Sequence, residues 1–145
     1  MSLPVALSAR RKLPPHRRLV PYIAVGVARL LSLARPGRLR VILEFARRGA
    51  VPATYEQARA ARQAVVSVSL RCSGQACLQR SIAAALLCRM RGTWPTWCTG
   101  VRTTPFAAHA WIEAEGQLVD EDYPVGHYRP LLVIEPPSSC TPGAK

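Results

Sequence analysis

The residues most able to do chemistry are a cysteine and a histidine thirty-two positions apart. Cys77 follows the turn-like stretch Arg71-Cys72-Ser73-Gly74-Gln75-Ala76 and precedes an apolar run from Ile82 to Met90 that closes at Arg91-Gly92. That layout predicts a sulfur in the first turn of a buried helix, where unpaired backbone N–H groups and the helix dipole favour thiolate over thiol. His109 lies in Ala107-Ala108-His109-Ala110-Trp111-Ile112-Glu113, whose alternation predicts a strand. A thiolate nucleophile needs a base beside it, and the base needs an acid to orient it. The other histidines, His16 in a basic segment and His127 in the loop from Tyr123 to Tyr128, have no neighbouring strand to fix them. Cys88, eleven residues after Cys77, falls about three turns further along the same helical face and reads as packing.

The acid should come from Asp120-Glu121-Asp122, which follows the hairpin signal Glu115-Gly116. Strand register discriminates among the three. A two-residue turn at Glu115-Gly116 sets Asp122 opposite His109, with Asp120 on the same side and Glu121 pointing away. A three-residue turn with the glycine in a bulge sets Glu121 opposite His109 instead. The pattern of residues leaves that choice open.

The elements that must position these groups are readable in outline. Helices are predicted over 19–34, where Ile23, Val27, Leu30 and Leu31 share helical spacing, and over 39–48, after a break at Pro36-Gly37. Thr54-Tyr55-Glu56-Gln57 is a capping box opening a helix with a small apolar face of Ala58, Ala61, Ala64, Val65 and Val68. The helix 77–91 is apolar on nearly all faces and should be the central buried one. Strands follow over 96–102, 106–113, 117–120 and 131–135. Helices first and an antiparallel sheet afterwards make an α+β domain. The expected organisation is a flexible basic arm over 1–18, one domain over 19–135 and a disordered tail over 136–145. Within that domain, 19–50 forms a helical hairpin and 51–135 the core. Trp94 and Trp97 are expected in the core rather than in a cleft.

The 145 residues allow a single real core, and 49% apolar content argues against a disordered chain. The net charge of +12 is unevenly spread: residues 1–100 carry 17 Lys or Arg against Glu44 and Glu56, while 101–145 carry three against six acids. The basic half is either a surface for phosphate, acidic lipid or acidic polypeptide, or a merely solvated one. Nucleic acid is not expected, since neither an aromatic reading platform nor a reading helix is visible. The five cysteines show no Cys-x-x-Cys or zinc spacing and read as free thiols in a reducing cytoplasm, with no metal or cofactor. The apolar stretch 19–34 is broken by Pro21 and Arg29 and is too short to span a bilayer, so membrane contact is allowed but not predicted.

Three separated motifs, in order, carry a family resemblance. Cys77-Leu78-Gln79-Arg80-Ser81, Arg91-Gly92-Thr93-Trp94-Pro95 and His109-Ala110-Trp111-Ile112-Glu113 followed by Gly116 resemble the transglutaminase-like cysteine peptidases that remove leaders in lasso peptide biosynthesis. The resemblance covers about residues 50–135. It implies a transglutaminase/papain-like core whose central catalytic helix packs on an antiparallel sheet. It also implies a Cys-His-acid triad of Cys77, His109 and an acid about twelve residues after the histidine. That acid is Glu121, with Asp120 in reserve, and this choice favours the bulged turn. Gln75 and Gln79 are candidates for a second oxyanion donor beside the Cys77 N–H. The implied partners are the precursor peptide, a separate small leader-recognition protein and, less directly, the macrolactam-forming cyclase. Two rivals stand beside this reading: a non-catalytic basic binding module, and a true transglutaminase that passes the acyl group to an amine.

Overall fold

A computed structural model describes residues 14, 15, 18–69 and 76–138. The expectations for most of the basic arm, for Cys72 and Gln75, and for Cys140 and the end of the tail lie outside the described residues. Among the described residues four helices precede and flank a small sheet, giving the α+β order expected. Helix α1 (Leu19–Leu31) buries Pro21, Ala24 and Ala28, a small-residue face that lets it lie close to its neighbours. Helix α2 (Pro36–Ala46) buries Leu39 and Leu43. Pro36 was expected to lie in the break between the two helices; the break falls just before it, and Pro36 is the first residue of α2. Its missing N–H is one the helix start leaves unpaired anyway, and its fixed φ suits that position.

Helix α3 (Tyr55–Val68) begins where the capping box predicts. Gln57 N–H donates to Thr54 Oγ1 at 3.2 Å and Thr54 N–H donates to Gln57 Oε1 at 2.9 Å. The Glu115 carboxylate adds a third contact, accepting from Tyr55 N–H at 3.0 Å, and so ties the start of α3 to the distant hairpin turn. Helix α4 (Cys77–Met90) is the buried centre of the molecule, with Ser81 to Ala85, Leu87 and Cys88 all shielded. It packs against α1, α3 and the sheet.

Strands β1 (Val51–Pro52) and β2 (Thr93–Trp94) form a short parallel pair that the sequence pattern does not announce. The main sheet runs β5-β4-β3-β6, with β3 (Thr96–Thr103), β4 (Phe106–Ala114), β5 (Gln117–Leu118) and β6 (Arg129–Ile134) all antiparallel to their neighbours. Trp94 and Trp97 are fully buried, so they serve the core and not a cleft. Trp97 Nε1 donates to Ser81 Oγ at 3.0 Å and Trp94 Nε1 to the Ile134 carbonyl at 3.2 Å, which satisfies both indoles inside. Among the described residues no helix is long and apolar enough to cross a membrane.

The hairpin that carries the acids corrects the expected register. Ala114 pairs with Gln117 and Glu113 with Leu118, the two-residue turn, with Glu115 at φ 54° and Gly116 at φ 74°. The three-residue bulged turn is not formed. The strand expected over 117–120 also ends early, at Leu118. Val119 N–H still reaches the Ile112 carbonyl at 3.1 Å, and then Asp120 adopts a left-handed φ of 48°. The chain leaves the sheet there, so facing rules that assume a continuing ladder stop applying at Asp120.

Candidate active site

The site forms along the edge of β4 that β5 is too short to cover. The Ile112 carbonyl points outward to Val119, and same-side alternation points the Ala110 N–H outward as well. The first turn of α4 meets this edge, and the Cys77 sulfur takes a hydrogen-bonding interaction from the Ala110 N–H and another from His109. Cys77 is the first helical residue and Ala76 gives the helix no side-chain cap. The end N–H groups of α4 therefore face the neighbourhood of the sulfur.

His109 sits opposite Gly100 in the sheet. A Cβ on Gly100 would run into the Arg129 carbonyl and come within 2.9 Å of the Trp111 ring, so only glycine lets β3, β6 and the aromatic layer close up here. The imidazole belongs to a cluster of rings: it stacks on Trp111 at 6.0 Å and on Tyr128 at 5.1 Å, which also touch each other at 6.1 Å, and Tyr123 meets it edge-on at 5.3 Å. This packing fixes the plane of the ring. Nε2 lies 3.1 Å from Glu121 Oε2, which leaves Nδ1 for Cys77. A neutral imidazole that gives its Nε2 proton to the carboxylate carries its basic lone pair on Nδ1, aimed at the thiol.

The rest of Glu121 is held from behind. Its side chain is 7% exposed, and Oε1 faces Arg62 Nη2 at 3.7 Å and Arg80 Nη2 at 4.0 Å. Arg62 is itself nearly buried, and burial lowers its pKa against the opposing pull of Glu121 and Asp120. A carboxylate this enclosed is tolerable because opposite charge and the imidazole surround it. Asp120, the reserve acid, is turned elsewhere: it pairs with Arg59 Nε at 3.1 Å and lies 4.0 Å from Arg62. Asp122 is exposed. The structure thus brings Cys77, His109 and Glu121 into one line and leaves Asp120 and Asp122 out of it.

The electrostatics separate this sulfur from the others. Burial raises the Cys77 pKa, but interactions with His109 and the Ala110 N–H, and the charges of His109 and Arg80, reverse that effect and leave it below its ordinary value. Burial lowers His109, yet its interactions with Cys77 and Glu121 raise it to about 9. Both shifts favour a thiolate–imidazolium pair. By contrast, burial pushes Cys88 up to about 11 and Cys98 up to about 12. Among the described residues no three His, Cys, Asp or Glu side chains gather as metal ligands.

Of the oxyanion candidates, Gln79 is committed elsewhere, its amide donating to Ser32 Oγ at 3.4 Å at the end of α1. An apolar hollow of about 260 Å3 opens beside the sulfur, with Leu78, Val101, Ala108 and Leu131 among its walls. Sequence reading missed Tyr123, Tyr128, Arg62 and Arg80 as parts of the site. The only local signal for Arg62 is its place on the small apolar face of α3, between Ala58 and Val65, where a lone cation calls for a buried partner.

A family model described as the Transglutaminase-like superfamily matches residues 22–133. No curated protein and no solved structure matches significantly.

Proposed function

From a chain that belongs to the Transglutaminase-like superfamily, we propose a cytoplasmic cysteine peptidase that removes the leader from a ribosomally made lasso peptide precursor. The observation that carries the peptidase chemistry is the Glu121 contact of 3.1 Å to one side of His109 with Cys77 on the other. The superfamily includes cysteine-dependent peptidases and acyltransferases. The motifs around Cys77, Thr93 and His109 are what narrow the reading to leader removal.

In this reading Cys77 thiolate attacks the scissile carbonyl, and the N–H of Cys77 at the start of α4 helps hold the negative oxygen. The tetrahedral intermediate collapses when His109 gives its proton to the departing amine, leaving a thioester on Cys77. Water, deprotonated by His109, attacks the thioester and restores the thiolate–imidazolium pair with release of the leader's new carboxylate. Glu121 keeps the imidazole in its working tautomer and stabilises its charge throughout. The exposed core of the precursor then passes to a macrolactam-forming cyclase, and a small recognition protein presents the leader beforehand.

The test is the precursor incubated with the enzyme and the recognition protein and read by mass spectrometry. Hydrolysis should yield a free leader and a free core, both lost with Cys77→Ala. Processing by Cys77→Ala would sink the peptidase reading. An isopeptide adduct in place of a new carboxylate would instead assign the transferase chemistry that the superfamily name also covers.

A further inference from the structure

The hollow beside Cys77 does not end at Leu131. Val101 and Leu131 are also walls of a second, larger hollow of about 660 Å3, whose other walls include Arg102, His127 and Arg129. The two share those side chains, so one groove runs from the sulfur, apolar at first and cationic further out. Val101 pairs with Arg129 across β3 and β6, which fixes the basic end to the same two strands that form the apolar end.

Charge distribution separates the outer end of the groove from the cations behind the triad. Behind Glu121, Arg59 and Arg62 have carboxylates opposite them. Among the described residues lining the outer groove there is no Asp or Glu at all. Arg102 Nη1 donates to His127 Nε2 at 2.8 Å and its guanidinium lies over Tyr128 at 5.7 Å. These contacts hold the group in place, while its Nε is buried with no hydrogen-bond partner. That N–H is closed off from the groove, so a carboxylate arriving there meets the outer nitrogens of the guanidinium, whose planar fork matches its geometry. Tyr128 is the ring that also stacks on His109, so the same side chain sets the position of both.

Resting on the peptidase reading above, we infer that this groove is an extended substrate subsite that takes an acidic side chain of the peptide between Arg102 and Arg129. Its distance from the chemistry follows from the sheet. Gly100 faces His109, and Arg102 is two residues further along β3, roughly 7 Å at the rise of a strand. An extended peptide covers that distance in two residues, so the acid belongs two or three positions from the residue that acylates Cys77. The apolar stretch between them selects a neighbouring apolar side chain.

The test separates binding from catalysis. The full chain carrying Cys77→Ala is titrated, by fluorescence anisotropy, into labelled ten-residue peptides of Ala and Leu with one Glu, moved position by position, and into their Gln twins. Glu at one or two adjacent positions should bind at least fivefold tighter than Gln at low salt, and the difference should shrink as salt rises. Arg129→Gln, at an exposed position, and Arg102→Gln should each remove most of it. Equal binding of every Glu and Gln pair, or binding of neither, overturns the subsite. A Glu preference that persists while the unmutated enzyme cleaves no precursor would overturn the peptidase reading and leave the groove standing.

Discussion

Helix α4 carries a cysteine near each end, and the two are chemically opposite. Cys77 lies at the first residue and Cys88 eleven positions on, roughly 16 Å away along nearly the same face. The thiol of Cys77 is pulled below its ordinary pKa, whereas Cys88 is driven up to about 11. Burial alone pushes both upward, so burial does not make the difference. Cys77 meets an imidazole, a free strand-edge N–H and the Arg80 charge. Against burial Cys88 has only an interaction with Thr93 and the Arg91 charge, which do not suffice. Residue type and helix are held constant in this pair, so reactivity here is a property of what faces the sulfur.

The largest effect should be on the nucleophile itself. Cys77→Ala is expected to lower precursor processing by at least about 10³-fold, the scale seen when a nucleophile acting in a triad is removed. Cys88→Ala should process within about twofold of the parent at equal folded concentration. A comparable loss in both variants, with both folded by circular dichroism, would erase the contrast.

Next in size is the group that makes the imidazole useful. Glu121→Gln should cost about 10²–10⁴-fold in kcat/KM, because the amide can hold His109 in the wrong tautomer and supplies no charge. Asp120→Asn should cost less than about tenfold, since its contacts are to Arg59 and Arg62 and not to the imidazole. Equal losses would mean that the charge cluster acts as a whole and that no single acid orients His109.

A smaller effect, and a direct reading of the comparison, is alkylation by iodoacetamide followed by peptide mapping. Cys77 should label at pH 7 at least about tenfold faster than Cys88, in a profile whose midpoint falls below 9. Raising the pH should do two things in sequence. The thiolate is already formed on the alkaline side of the lowered Cys77 pKa, so labelling levels off. Processing should then fall as His109, raised to about 9, loses the proton it must deliver to the leaving amine. Activity is thus expected to be bell-shaped, with its alkaline limb near 9. Labelling of Cys88 on that same pH scale, before unfolding, would contradict its burial.

What could be read in the residues, and what could not, follows the range of the forces involved. The capping box at Thr54 and Gln57 and the helix start at Cys77 are local patterns, and both stand where the sequence puts them. The choice among three acids was not local. Register arguments hold only while a ladder persists, and β5 stops at Leu118. The two-residue turn would set Asp122 against His109 if pairing continued, yet the left-handed Asp120 reroutes the chain and delivers Glu121. The slip falls at Asp120, after the strand, and not in the turn. The guanidiniums behind Glu121 were equally illegible, because Arg62 and Arg80 come from two different helices and meet the acid only once α3 and α4 are packed.

The least of the expected effects concerns stability, and it inverts the first. Cys88 is 1% exposed among Ala, Leu and Trp side chains, so truncating it to alanine removes packed surface and should lower folding free energy by about 1 kcal/mol. Cys77 is only partly buried at the helix start, and its interactions are with groups that must be poised for chemistry. Cys77→Ala should therefore change stability by less than about 0.5 kcal/mol. Urea unfolding followed by tryptophan fluorescence measures both, with Trp94 and Trp97 buried beside α4 as reporters. The first variant should move the midpoint while leaving processing intact, and the second should abolish processing while leaving the midpoint in place. If Cys77→Ala proved the more destabilising of the two, the sulfur at the helix start would be a structural member of the core, and its low pKa would be a by-product of packing.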